Sequence, residues 1–315
     1  MPELAPGASR STLVLCLAAV WVLWGSVYLA IRLVVNEVDP FQAMAQRFVL
    51  AGLILMAIVV CRRGWSGLRV TRSQFLALVM TGVLLLGFGN GFQALAQVKG
   101  LPSGVAALVI AVVPAWAVLI RWLTGDRPHR LTVTGVVIGF TGLVVLVALG
   151  QDVGAQMPLI GVALCLGSSI AWTIGSFLQG ILAVPRDVFV IATYQQFVAA
   201  ICSFLLAITT RETFSIDYTP KAWFGLGYLV VAVSVVAFLA FAWLLTNVPL
   251  SLTATHAYVN PIVAVFLGWL VLGEPIGLPV LVGGGIVVAS VVLIVSAERR
   301  PVDRTEGAGE AVPPA

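Results

Sequence analysis

The sequence predicts an all-α integral membrane protein with ten transmembrane helices in two inverted five-helix repeats. Composition is the first reason. Of 315 residues, 60% are hydrophobic and 10% charged, with mean hydropathy +1.08. Soluble domains carry about 25% charge, and no soluble core buries this much apolar surface, so the solvent must be lipid. The second reason is a series of about ten apolar runs, each long enough to cross a bilayer. The third is a stretch that occurs twice. Residues 102–126 read PSGVAALVIAVVPAWAVLIRWLTGD, and residues 249–274 read PLSLTATHAYVNPIVAVFLGWLVLGE. In each copy a second proline follows the first by twelve residues, a tryptophan follows eight residues later, and a glycine and an acid close the stretch. Such spacing marks an internal repeat, which decides the architecture.

Taken in order, the expected spans are 12–34, 41–61, 74–98, 102–123, 131–150, 157–183, 187–209, 222–246, 250–273 and 278–297. The first is too long for a signal-peptide core and is read as a retained helix. Charge, proline and glycine punctuate the others, as at Glu37-Val38-Asp39-Pro40, Arg62-Arg63-Gly64, Pro185-Arg186-Asp187 and Gly273-Glu274-Pro275. With the N-terminus in the cytoplasm, twelve arginines fall on cytoplasmic segments. Only Arg32, Lys99, Arg211 and Lys221 fall outside. Both termini are therefore expected in the cytoplasm. The repeat period is near 150 residues, or five spans. An odd number of spans makes the second copy enter from the opposite side, the layout that supports alternating access. Residues 1–150 form the first repeat, 151–297 the second, and 298–315 a tail expected to be disordered. Gly25-Ser26 then matches Gly175-Ser176, and Gln46 matches Gln196. Cys16, Cys61, Cys165 and Cys202 lie in or beside apolar runs and lack metal or disulfide spacing.

These motifs carry a family resemblance. WGSVYLAIR from Trp24, Pro40 with Arg47, PSGVAALVIAVVP, and NPIVAVFLGWLVLGEPI from Asn260 with Gly283 to Gly285 resemble the drug/metabolite transporter superfamily in its EamA-type branch. One departure is Gly125-Asp126, where Gly-Glu is usual. The resemblance implies a transporter of the bacterial inner membrane, with amino acids, related metabolites or amphipathic drugs as cargo. It leaves the particular cargo open.

Helical spacing identifies the polar groups that share a face. Asn90, Gln93 and Gln97 form one stripe; Thr253, His256 and Asn260 form another. Ser168, Trp172, Ser176 and Gln179 form a third, and Trp21, Trp24 and Tyr28 an aromatic one. Polar groups at such depth face protein or water rather than lipid. The expected solute-binding residues are Trp24, Tyr28, Asn90, Gln93, Trp116, Trp172, Gln179, His256 and Asn260. The amides equally suit bridges between helices, and the tryptophans suit interfacial anchors. His256 is the one ionisable group suited to proton coupling, and a neutral histidine bonded between helices is its other reading. Arg47 is read as either an anion contact or a snorkelling cation. Pro114 and Pro261, inside spans four and nine, are expected hinges or static bends. Glu274 is expected to tie the loop after span nine.

The chain has no GxxxxGK[ST] loop, no HExxH motif and no paired intramembrane aspartates. ATP-driven pumping and intramembrane proteolysis are therefore not expected, and no enzyme activity, cofactor or metal is. A single deep arginine argues against polyanionic cargo. The expected partners are a small-molecule substrate, the bilayer and, through His256, protons, with no nucleic acid; the chain is expected as monomer or homodimer. Export by alternating access is the leading reading. A non-transporting membrane sensor or assembly partner is the alternative.

Overall fold

A computed structural model describes residues 10–125, 128–152, 158–247 and 255–297, all helix and connecting loop. Helix α1 spans Arg10–Val35, interrupted at Ser26. Helix α2 is Pro40–Arg63, with the proline in the first turn, where a missing N–H costs nothing. Helix α3, Arg72–Val98, begins at a capping box in which Thr71 and Gln74 exchange bonds. Helix α4, Ser103–Leu123, is followed by α5, Arg130–Asp152. In the second half come α6, Leu159–Ile181, and α7, Val188–Thr209. Helix α8 runs through Pro220–Tyr228, Leu229–Ala237 and Phe238–Asn247. Helices α9, His256–Leu272, and α10, Leu278–Ala297, complete the bundle. The first turns expected for span nine, with Thr253, and the tail after Ala297 lie outside the described residues, as does Asp126.

Packing between equivalent helices establishes the inversion. Gly135, Gly139 and Gly142 of α5 face Ile294, Ser290 and Ile286 of α10, while Gly283 of α10 faces Leu146. One number rises as the other falls, so the two helices are antiparallel. The approach is close: a Cβ on Gly283 would lie 2.5 Å from Leu146 Cα. Helices α2 and α7 are likewise antiparallel. Gly52 meets Phe197, and Arg63 at the end of α2 pairs with Asp187 at the start of α7, 2.5 Å apart. Helices α4 and α9 meet through Gly104 on Val265 and Gly268 on Ser103. Three helices therefore each pair head-to-tail with their own duplicate, which only inverted repeats allow. The remaining contacts agree: α3 packs along α6 as α8 packs along α1. Exposed apolar side chains such as Leu50, Val144, Ile201, Phe266 and Leu281 cover the outside, the surface lipid would solvate.

Three departures from regular helix matter. Helix α4 breaks at Ala111–Val112, so Pro114 stands in the first turn of a new segment, Val113–Leu123, rather than kinking a continuous helix. Pro261 does lie inside its helix. The symmetry-related prolines therefore occupy different positions in their helical segments. Helices α3 and α8 each contain a π-helical stretch, Val83–Phe88 and Leu229–Ala237. Adding the 147-residue offset of Pro102 and Pro249 to 83–88 gives 230–235, so the duplicate carries the same irregularity.

The bundle has two distinct ends. One carries Glu37, Asp39, Glu212, Asp217 and Glu274 on its loops and is called the acidic end. The other carries Arg62, Arg63, Arg69, Arg72, Arg130 and Arg186 and is called the arginine end.

Candidate solute-binding site

The central charge is Arg47. It sits two turns into α2 and is only 4% exposed. Its Nε donates to Ser234 Oγ at 3.2 Å and its Nη1 to Asn90 Oδ1 at 3.1 Å. The guanidinium also lies over the Phe48 ring, 5.1 Å from its centroid. No carboxylate of the described residues pairs with it. Arg47 Nη1 also reaches Met44 Sδ at 3.9 Å. A guanidinium has five N–H donors, and three neutral acceptors leave most of its charge uncompensated in a buried position. Such a cation is costly unless something anionic joins it. Arg47 also spans a gap, because Asn90 belongs to α3 and Ser234 to α8. On the Asn90 face of α3, Gln93 and Gln97 are 6% and 0% exposed, and both have amide atoms without a hydrogen-bond partner among the described residues.

A second group is aromatic. The Trp24 ring lies 4.7 Å from Phe241 and 5.3 Å, edge-on, from His256; Phe241 and His256 are 5.7 Å apart. No described side chain hydrogen-bonds the His256 imidazole. Nearby, Trp21 Nε1 donates to Thr255 Oγ1 at 3.0 Å. With its amide nitrogen turned inward, Asn260 donates to the carbonyls of Trp21 and His256, each at 3.2 Å. Asn260 thereby ties α9 to α1. Gly25 allows this approach, since a Cβ there would meet Val263 at 2.7 Å.

The other expected residues are spread around these groups. Tyr28 is buried among Val105, Cys165 and Ala264, between α1, α4, α6 and α9. Trp116 donates to Ser169 Oγ at 3.0 Å and meets Phe140 edge-on at 4.9 Å. The Trp172 ring lies against Gly89, whose carbonyl accepts from Ser168 Oγ at 2.5 Å. Gln179 is engaged elsewhere: its Oε1 accepts from Gln195, which also donates to Thr81. A cavity of about 240 Å³ opens between α4 and α6, lined by Val113, Ala117, Ile120, Arg121, Thr173 and Ser176. The structure thus brings Arg47 to Asn90 and Trp24 to His256, and sets Gln179 in a helix contact.

Sequence reasoning missed Ser234 and Phe241. Ser234 had a signal, being the one polar residue in the apolar run from Leu229 to Leu245. Phe241 had none, as one apolar residue among many.

The acidic end is densely tied. Glu212 accepts from the backbone N–H of Phe41 and Gln42, at 3.3 and 2.8 Å. Asp39 accepts from Thr213 and Glu37 from Thr219. Gln42 and Gln46 both donate to Ser215 O, and Tyr218 links the two glutamine side chains. Burial raises the Glu212 carboxyl above its usual range, against the pull of the Gln42 and Phe41 N–H groups. Beside this strap lies a cavity of about 260 Å³, lined by Glu37, Asp39, Gln42, Ser215, Asp217 and Tyr218. At the arginine end, the equivalent corner is joined by Arg63–Asp187 and by Tyr194 OH donating to Leu68 O at 2.7 Å.

Two segments, residues 11–148 and 159–296, each match the EamA-like transporter family. The chain belongs to that family. Among relatives of this EamA-like transporter, the uncharacterized inner membrane transporter YedA of Escherichia coli (strain K12) is 30% identical over 279 residues, covering 88% of this chain and 89% of the relative. A Chlamydia trachomatis protein named S-adenosylmethionine/S-adenosylhomocysteine transporter is 25% identical, covering 83% of each chain. A crystal structure with 22% identity superposes with a TM-score of 0.61 over 93% of this chain and 100% of its own, a likeness of fold. The EamA-like transporter is a multi-pass membrane protein of two repeats, as the duplicated stretches predict.

Proposed function

We propose that this EamA-like transporter is a secondary carrier. It exports a small zwitterionic or amphipathic solute, such as an amino acid or amphipathic drug, across the bacterial inner membrane by alternating access. The observation that carries this reading is Arg47: a buried cation, held by Asn90 and Ser234, with no carboxylate partner among the described residues. A solute carboxylate would supply the missing charge in a bidentate pair. Trp24, Phe241 and His256 would receive the apolar part, with Tyr28, Trp116 and Trp172 as further walls. The chlamydial relative's named cargo contains an amino-acid group, which fits the same chemistry. Gln179 then acts as a bridge between helices.

The two halves, 1–150 and 151–297, would rock about the regions of Pro114 and Pro261. The arginine end, with both termini, would face the cytoplasm. In that orientation the tied acidic end is the outer one, and the conformer described here is closed to the outside. The driving force is the solute gradient or protons through His256.

Flux into proteoliposomes tests this reading, over a panel of amino acids and amphipathic cations with the pH gradient on and off. Saturable flux of a carboxylate-bearing solute is expected, and Arg47→Gln should reduce it much more than flux of a solute lacking a carboxylate. Absence of flux for the whole panel would favour the sensor or assembly reading. Equal flux through parent and Arg47→Gln would remove Arg47 from the site.

A further inference from the structure

Glu274 stands just past α9, yet its bonds go to α4. Its Oε1 accepts from Ser103 N at 2.7 Å, and its Oε2 from Ser103 Oγ at 2.9 Å and Gly104 N at 3.0 Å. The expected tie within its own loop is thereby replaced by a link between the two repeats. The local fold aims it there. Gly273 adopts left-handed φ 66°, and the next N–H, that of Glu274, returns to Gly268 O at 3.1 Å. Only a residue tolerant of positive φ turns the chain this sharply. The first N–H groups of α4 have no partner within their helix, and the positive end of the helix dipole favours the carboxylate.

The packing beneath the carboxylate leaves no slack. A Cβ on Gly268 would lie 2.5 Å from Glu274 Oε2 and 2.9 Å from Ser103 Oγ; one on Gly104 would lie 3.0 Å from Val265 Cα. Helix α9 packs on the Ser103–Ile110 segment of α4 at the acidic end, and the carboxylate binds the two helices together there.

We infer that Glu274 is a clasp at the acidic end, holding α4 to α9, and that its release from Ser103 and Gly104 lets that pair part. The inference rests on the alternating-access reading. The α4–α9 contact joins the two halves at the acidic end, so rocking that opens this end must part the pair and break the carboxylate's bonds. A carboxylate can accept all three donors. A glutamine amide offers one oxygen, and its NH₂ group cannot accept from the Gly104 N–H.

The test uses the full chain in nanodiscs with Cys16, Cys61, Cys165 and Cys202 changed to serine. Val105→Cys reports from the turn below the clasp, where the parent side chain is 4% exposed. Its labelling rate with a water-soluble maleimide should rise about tenfold in Glu274→Gln, the loss expected when a charge-assisted bond becomes a neutral one. Ser103→Ala removes one bond only and should give a smaller rise, which decides the matter if Glu274→Gln fails to fold. Folded variants labelled at the parent rate would overturn the clasp. Solute flux is measured on the same proteins. Flux in the parent with unchanged labelling in the variants rejects the clasp and keeps the carrier; faster labelling with no flux in the parent keeps the clasp and rejects the carrier.

Discussion

The two repeats share a backbone plan but differ in chemistry at equivalent depth. Arg47 in the first repeat corresponds to Phe197 in the second, by the same 150-residue offset that matches Gln46 to Gln196. Arg47 is bonded to Asn90 and Ser234. The Phe197 ring instead fills the space over Gly52, where a Cβ would stand 3.1 Å from its Cε1. Asn90 in turn corresponds to Ala237, by the 147-residue offset. Both copies keep the features that set helix contacts, the glycine seams and the antiparallel pairs. One copy holds the deep charge. Duplication therefore accounts for the scaffold, and divergence between the copies accounts for the site.

Substitutions should separate these roles. The largest effect is expected from Arg47→Gln, with flux of a carboxylate-bearing solute down about a hundredfold, as when a buried charge pair of a few kcal/mol is lost. Arg47→Lys should recover little, because an ammonium lacks the planar fork. Next comes the shared scaffold. Gly283→Leu forces a side chain into the Leu146 backbone and should lower stability by at least about 1–3 kcal/mol, read as a drop in detergent Tm. His256→Ala should change flux only several-fold if the ring forms a wall, since no described side chain hydrogen-bonds it; flux that loses its pH-gradient dependence would instead assign it the proton. Phe197→Leu should cost about 1 kcal/mol of stability, with the solute profile unchanged; a changed profile would break the contrast between repeats.

The smallest effect concerns Glu212 at the acidic end. Its pKa is raised in the folded protein, mainly by burial. The associated stability is present below the ordinary value of 4.5 and is lost as pH rises through the raised value. Glu212→Gln is neutral throughout and should flatten that part of a Tm-against-pH profile above pH 4.5.

The architecture was legible because lipid imposes a simple rule on sequence: each span must be long, apolar and internally bonded. Pro102, Pro114, Pro249 and Pro261 revealed the duplication, and an odd span count gave the inversion that the α5/α10 seam displays. Arg47 and Asn90 could each be identified as polar and deep, but their mutual bond could not, because α2 and α3 have no fixed register in sequence. The fate of Gln179 was hidden for the same reason. Its stripe on α6 is regular, yet Gln195 on α7 decides which way it turns. Glu274 was visible as an edge carboxylate. Its target on α4 depends on the left-handed turn at Gly273 and on packing between the repeats.

The π-helical stretches at Val83–Phe88 and Leu229–Ala237 have a consequence for aim. A wider turn accommodates about one extra residue, which in an ordinary α-helix is roughly 100° of rotation. Everything beyond each stretch therefore points a quarter-circle away from where a regular helix would send it. Asn90 lies just beyond the first stretch and so owes its bearing on the guanidinium to this surplus, while Ser234 lies within the second. Trimming one residue from the first stretch would leave hydrophobicity and span length nearly intact, yet swing the downstream face, and Asn90 with it, out of line.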